Sequence, residues 1–130
     1  MQITNWMTRN PVCVNPHDTL AKAGDLMAAG GFRQLPVTEQ DKLIGIITDR
    51  DLRLHSGYLD STQVDAAMTS PAVAVSPFDS AETAAKLIIK HKIGGLPVVD
   101  SGRVVGIIST SDLLRALLNV VEAAQGIPEQ

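Results

Sequence analysis

The sequence repeats itself at an interval of 61 residues, and this constrains the fold more than any other feature, because an internal repeat requires copies of one unit packed together. Sliding the chain by that interval sets Met7-Thr8 on Met68-Thr69, Val12 and Val14 on Val73 and Val75, and Pro16 and Asp18 on Pro77 and Asp79. Leu35-Pro36-Val37 then falls on Leu96-Pro97-Val98, Gly45-Ile46-Ile47 on Gly106-Ile107-Ile108, and Asp51-Leu52 on Asp112-Leu113, without a gap. Between Met7 and Arg53, 16 of 47 positions are identical to their counterparts, which chance does not produce. A unit of about 60 residues buries only about 60% of its unfolded surface, so each half needs the other to complete a core.

Each repeat reads as βαββα. A short strand (Val12 to Val14; Val73 to Val75) precedes a helix capped by Asp18 or Thr19 in the first copy and by Asp79 or Ser80 in the second. Leu20, Ala23, Leu26 and Met27 recur at helical spacing, as do Ala84, Leu87 and Ile88, which predicts one apolar stripe per helix. Gly30 and Gly31 end the first of these helices, and the second ends near His91 and Lys92. Two strands follow in each copy (Leu35 to Thr38 and Leu43 to Thr48; Leu96 to Asp100 and Val104 to Ser109), joined by polar turns at 39–42 and 101–103. A last helix starts near Asp49 in the first copy and runs from Ser111 to about Ala124 in the second. Residues 56–65 carry no sustained period and read as a connector. The expected division is a first repeat over 1–60, a second over 61–124 and a frayed tail at 125–130.

Composition narrows the partners. Apolar residues make up 45% of the chain and aromatics only 3%, so the core must come from close-packed Val, Ile, Leu and Ala, as in layered α/β structures. A net charge of −3 with no run of Lys and Arg leaves no basic face for a phosphate backbone, which excludes nucleic acid as a principal partner. The longest apolar stretch, Leu113 to Ala124, is interrupted by Arg115, Asn119 and Glu122 and falls short of the roughly 20 residues that cross a bilayer. The single Cys13 cannot form an internal disulfide and nothing resembles a secretion signal, so the expected compartment is the cytoplasm. His17, His55 and His91 lack metal-ligand spacing, and there is no nucleophile and base pairing, GxGxxG or Walker sequence; the chain does not read as an enzyme.

Three strings occur in fixed order twice: MTRNPVCVNPHDTL and MTSPAVAVSPFDSA, FRQLPV and IGGLPV, GIITDRDL and GIISTSDL. Together they resemble cystathionine β-synthase (CBS) domains across nearly the whole chain. The resemblance implies an α/β (α+β) fold in which two βαββα repeats pack sheet to sheet with pseudo-twofold symmetry. It also implies clefts between the repeats that bind adenosine-containing ligands (AMP, ADP or ATP), a homodimer, a regulated protein partner, and no required cofactor. Likeness to the CBS part of acetoin-utilisation proteins implies a small bacterial or archaeal regulator. The alternatives are a dimerisation module without ligand and a sensor of S-adenosylmethionine or NAD.

The third string makes chemical sense on its own. A buried strand ends at a hydroxyl, Thr48 or Ser109, and three residues on, in the first turn of a helix, stands a carboxylate, Asp51 or Asp112. An ionised Asp accepts two hydrogen bonds, which suits the cis-diol of a ribose, while a hydroxyl beside unpaired helix amides suits a phosphate. The same spacing also makes a capping box, so both roles stand open here. The resemblance assigns Asp51 and Asp112 to ribose, and Thr48 and Ser109 to phosphate. It assigns an apolar adenine slot to Val12, Cys13, Leu35 and Pro36 and to Val73, Ala74, Leu96 and Pro97, many of them core positions on any reading. Relatives mix the middle string of one repeat with the last string of the other. On that pattern Arg33 serves the cleft of Ser109 and Asp112, and Arg50 the cleft of Thr48 and Asp51. Both arginines lack counterparts, since Gly94 and Ser111 replace them.

Overall fold

The computed structural model describes residues 1–126; residues 127–130, most of the tail expected to fray, lie outside the described residues. The elements are β1 (Thr8–Arg9), α1 (Leu20–Gly30), β2 (Gln34–Glu39), β3 (Lys42–Thr48), α2 (Asp49–Leu54), α3 (Ala81–His91), β4 (Gly95–Asp100), β5 (Arg103–Ser109) and α4 (Thr110–Ala124). Short 3-10 turns stand at Ile3–Asn5 and Val64–Ala66. Thr19 and Ser80 are the caps of α1 and α3, each accepting a backbone N–H from three residues on. The helices end in a left-handed residue, Gly31 in the first repeat and Lys92 in the second. Hairpins β2–β3 and β4–β5 turn through Gln40-Asp41 and Ser101-Gly102, all four at positive φ, as two-residue turns matched to strand twist require.

The strands expected at Val12 to Val14 and Val73 to Val75 are single parallel bridges, Val14 to Val37 and Val75 to Val98. Val14 donates its N–H to Pro36 O at 3.0 Å and accepts from Thr38 N–H at 2.9 Å. Prolines stop the pairing from extending, because Pro11 and Pro16 flank the first bridge and Pro71 and Pro77 the second, and none has an N–H to donate.

The 61-residue interval persists in three dimensions. The pairs Leu35 with Ile47 and Leu96 with Ile108 are counterparts, and each hairpin shifts register at the same place, Val37/Thr38 and Val98/Val99. The hairpins join where Lys42 lies opposite Arg103, so that β1, β5, β3 and β2 make one antiparallel sheet with β4 on β5. Lys42 and Arg103 are each other's counterparts, and a residue that pairs with its own counterpart marks a local twofold axis.

The segments that precede the repeats are exchanged. Met1 to Arg9 lies on the second repeat: Ala81 N–H donates to Met1 O (2.8 Å), Ile3 N–H to Asp79 O (2.9 Å), and β1 pairs with β5. Residues 62–69 lie in the same way on the first repeat, with Leu20 N–H to Thr62 O (2.9 Å), Val64 N–H to Asp18 O (2.8 Å), and Thr69 bridged to Ile46. Ile3 is thus buried in the second core beside Ala84, Ile88, Leu96 and Ile108, with Trp6 packed against it, and Val64 in the first core beside Leu20, Ala23, Leu35 and Ile47. The end of the stretch read as a connector is therefore core. Its apolar residues, Tyr58, Leu59 and Val64, follow no period from which to read this.

Two glycines permit the exchange. A Cβ on Gly45 would stand 2.7 Å from Met68 Sδ and 2.8 Å from Thr69 O, and one on Gly106 2.6 Å from Met7 Sδ and 2.8 Å from Thr8 O. The crossing segments need backbone without a side chain beneath them.

Candidate functional site

Both helices that follow the second strands open on complete capping boxes. Thr48 donates its N–H (2.9 Å) and its hydroxyl (3.0 Å) to Asp51 Oδ2, while Asp51 N–H donates to Thr48 Oγ1 (3.2 Å). Ser109 N–H (2.8 Å) and Oγ (2.9 Å) donate in the same way to Asp112 Oδ2, and Asp112 N–H to Ser109 Oγ at 3.3 Å. The capping role weighed from the sequence is thus realised twice. The carboxylates differ beyond that. Asp112 is 3% exposed and its Oδ1 is held by the Arg115 guanidinium. Asp51 is half-buried, and its Oδ1 has no protein partner among the described residues.

The boxes stand at the same end of the sheet. Thr48 pairs with Gln34, and Ser109 with Gly95. Gln34 and Gly95 are counterparts and touch: a Cβ on Gly95 would run into the Gln34 side-chain amide. The middle strings of the two repeats therefore meet at the axis, Gln34 of the first against Gly95 of the second, which is itself the strand partner of Ser109. Arg33 precedes this contact, and its carbonyl accepts Asp49 N–H at 2.9 Å. Arg33 and Arg50 are exposed, and neither forms an ion pair among the described residues.

The residues assigned to a base slot divide by burial. Leu35, Pro36, Leu96 and Pro97 are sealed in the core, so their side chains present no face to a ligand. Val12 and Ala74 are exposed, and Cys13 and Val73 are half-buried. Burial raises the Cys13 thiol pKa, opposed by a hydrogen bond with Thr38 and assisted by the Asp41 charge. Gln34 and Arg115 were not singled out from the sequence. Comparison across the interval signals both, because Gly95 and Leu54 stand at their counterpart positions.

The profile of the CBS domain matches residues 2–57 and again 63–119. The chain belongs to the CBS domain family. This CBS pair is 35% identical over 114 residues to the CBS domain-containing protein YhcV of Bacillus subtilis, covering 85% of this chain and 81% of that one. Its fold matches a Vibrio cholerae protein assigned to acetoin utilization (AcuB) with a TM-score of 0.83 and 32% identity, over 99% of this chain and 98% of the other. It also matches CBSX2 of Arabidopsis thaliana, solved in complex with AMP, with a TM-score of 0.84 and 27% identity over 92% and 98% of the two chains. No helix of the CBS pair among the described residues is long and apolar enough to cross a membrane.

Proposed function

We propose that this CBS pair is a cytoplasmic regulatory module that takes an adenosine-containing nucleotide (AMP, ADP or ATP) between its repeats, catalyses no reaction, and passes occupancy to a partner protein. Asp51 and Asp112 accept the ribose hydroxyls in this reading, and Thr48, Ser109, Arg33 and Arg50 face phosphate. Val12, Cys13, Val73 and Ala74 border the base, backed by Leu35, Pro36, Leu96 and Pro97. The observation that carries the reading is the pair of Ser/Thr–Asp boxes set at one end of a twofold-related sheet. AMP bound by CBSX2, a protein of the same fold, supports the ligand class.

A second reading, an interaction module without ligand, is favoured by one fact: each box is closed by its own hydrogen bonds and stable as a helix cap alone. Calorimetric titration with AMP, ADP, ATP and GMP, together with mass spectrometry of any ligand released from the purified protein, separates the two. Adenosine nucleotides are expected to bind and GMP to bind clearly less well, because a wrong donor pattern on the base leaves backbone groups unpaired. Equal affinity for AMP and GMP would remove base recognition, and no binding by any of the four would leave the interaction module.

A further inference from the structure

The two candidate clefts are built from counterpart residues, and where the counterparts differ most the differences fall on one side. At 34 and 95 a glutamine faces a glycine, and its side chain reaches across the axis onto Gly95, the strand partner of Ser109. Position 95 itself offers no side chain for the reverse crossing. At 54 and 115 an exposed leucine faces an arginine, and that arginine holds Asp112 Oδ1. Ser109 already donates twice to Asp112 Oδ2, so both oxygens of a carboxylate that is 3% exposed are engaged. Asp51 keeps Oδ1 free of protein partners among the described residues, and the adjacent Arg50 is an unpaired cation where the second repeat has Ser111. Arg33, also exposed and without an ion pair among the described residues, is the one cation that the family pattern gives to the Ser109–Asp112 side, and it does not release either oxygen of Asp112.

We propose that each chain takes one nucleotide, at the Thr48–Asp51 cleft, and that the Ser109–Asp112 cleft is closed from within by Arg115 and Gln34. This rests on the nucleotide reading above and narrows it: of the two clefts assigned there, only that of Thr48 and Asp51 is open to a ligand as folded. A ribose diol donates two O–H groups and needs an acceptor with lone pairs to spare. Asp51 has them. Asp112 keeps a single lone pair on Oδ1 while Arg115 is in place, one short of what a diol needs, and withdrawal of Arg115 leaves a buried carboxylate without its cation.

Calorimetric titration with AMP tests the proposal on the full chain and on Gln34→Gly/Arg115→Leu, which copies the residues of the other half. The expected stoichiometry is one AMP per wild-type chain, with Asp51→Ala weakening binding roughly tenfold to a hundredfold. The double variant is expected to gain a second site, and Asp112→Ala added to it should remove that gain. Arg115→Leu alone, at an exposed side chain, carries the same expectation if the double variant does not fold. Two wild-type sites of similar affinity, a single site indifferent to Asp51→Ala, or folded variants that still bind one AMP would each overturn the closure while leaving the nucleotide reading intact. Absence of saturable AMP binding in wild type and variants alike would overturn that reading, and the closure with it.

Discussion

Gly45 and Gly106 show how little room a single residue has here. A methyl group at either would stand within 2.8 Å of a backbone carbonyl that cannot yield as a side-chain tip can, so Gly106→Ala is expected to lower stability by about 1–3 kcal/mol. Urea denaturation measures this, and a shift below about 0.5 kcal/mol would show that the crossing segment slides aside. At Asp51 two quantities separate two roles. Loss of a cap costs about 1 kcal/mol of stability, whereas loss of a hydrogen bond to a charged acceptor costs about 1.5–3 kcal/mol of binding. Asp51→Ala is expected to move both in AMP titration and thermal melting; affinity left unchanged would make it a cap alone. Cys13 gives a prediction in pH. Burial raises its thiol pKa, so below that pKa the folded chain holds less thiolate than the unfolded one. Disulfide-exchange reagents at pH 8 should modify Cys13 more slowly in native protein than in urea. The gap should narrow as pH rises through the native pKa. Since the native state then binds more protons than the unfolded one, the stability this group contributes is present below the unfolded pKa and lost across the same rise.

Among the elements, the N-terminal segment contributes most for its length. It is short, yet it lends Ile3, with Trp6 and Met7 packed on the same cluster, to the second core and covers the edge of β5 with β1. Ile3→Ala is expected to cost about 2–5 kcal/mol, the range for emptying a fully buried site. Hydrogen exchange should show the loss in β4, β5 and α3 rather than in β2, β3 and α1, because the contacts of the segment run to the second repeat. Equal loss of protection in both repeats would mean that the cores open as one unit. Among the helices, α2 ends at Leu54 after six residues whereas α4 continues to Ala124, so its counterpart face is extended only in the second repeat.

That longer helix sets the expectation for the whole molecule. Leu114, Leu117, Leu118 and Val121 lie on one face of α4 at helical spacing and are 55%, 56%, 56% and 39% exposed, and Ile89 on the contacting helix α3 is 76% exposed. Uncovered apolar surface of this kind marks an interface. Light scattering at tens of micromolar protein is expected to give the mass of a homodimer, and Leu117→Lys/Leu118→Lys a folded monomer by circular dichroism. A wild-type monomer, or a double variant that remains dimeric, would place the interface elsewhere.

The repeat was legible as identity at one fixed offset, and the helices, hairpin turns and the Thr48–Asp51 and Ser109–Asp112 boxes because caps, alternation, turn residues and helical stripes act locally. Comparing the two copies with each other also exposed Arg33 and Arg50 as asymmetric. What lay beyond reach depends on contacts between residues far apart in the chain. The exchange of Ile3 and Val64 rests on short segments whose apolar residues follow no helical or strand period, and the first strands shrink to bridges because pairing is decided by the neighbouring strand. That Gln34 crosses onto Gly95, and that Asp112 is buried while Asp51 stays half-open, follows from how the two halves meet about the axis, whereas the Asp112–Arg115 pair is local, three residues apart on α4. Residue type determines which groups can serve a site; only packing decides which of them remain free to do so.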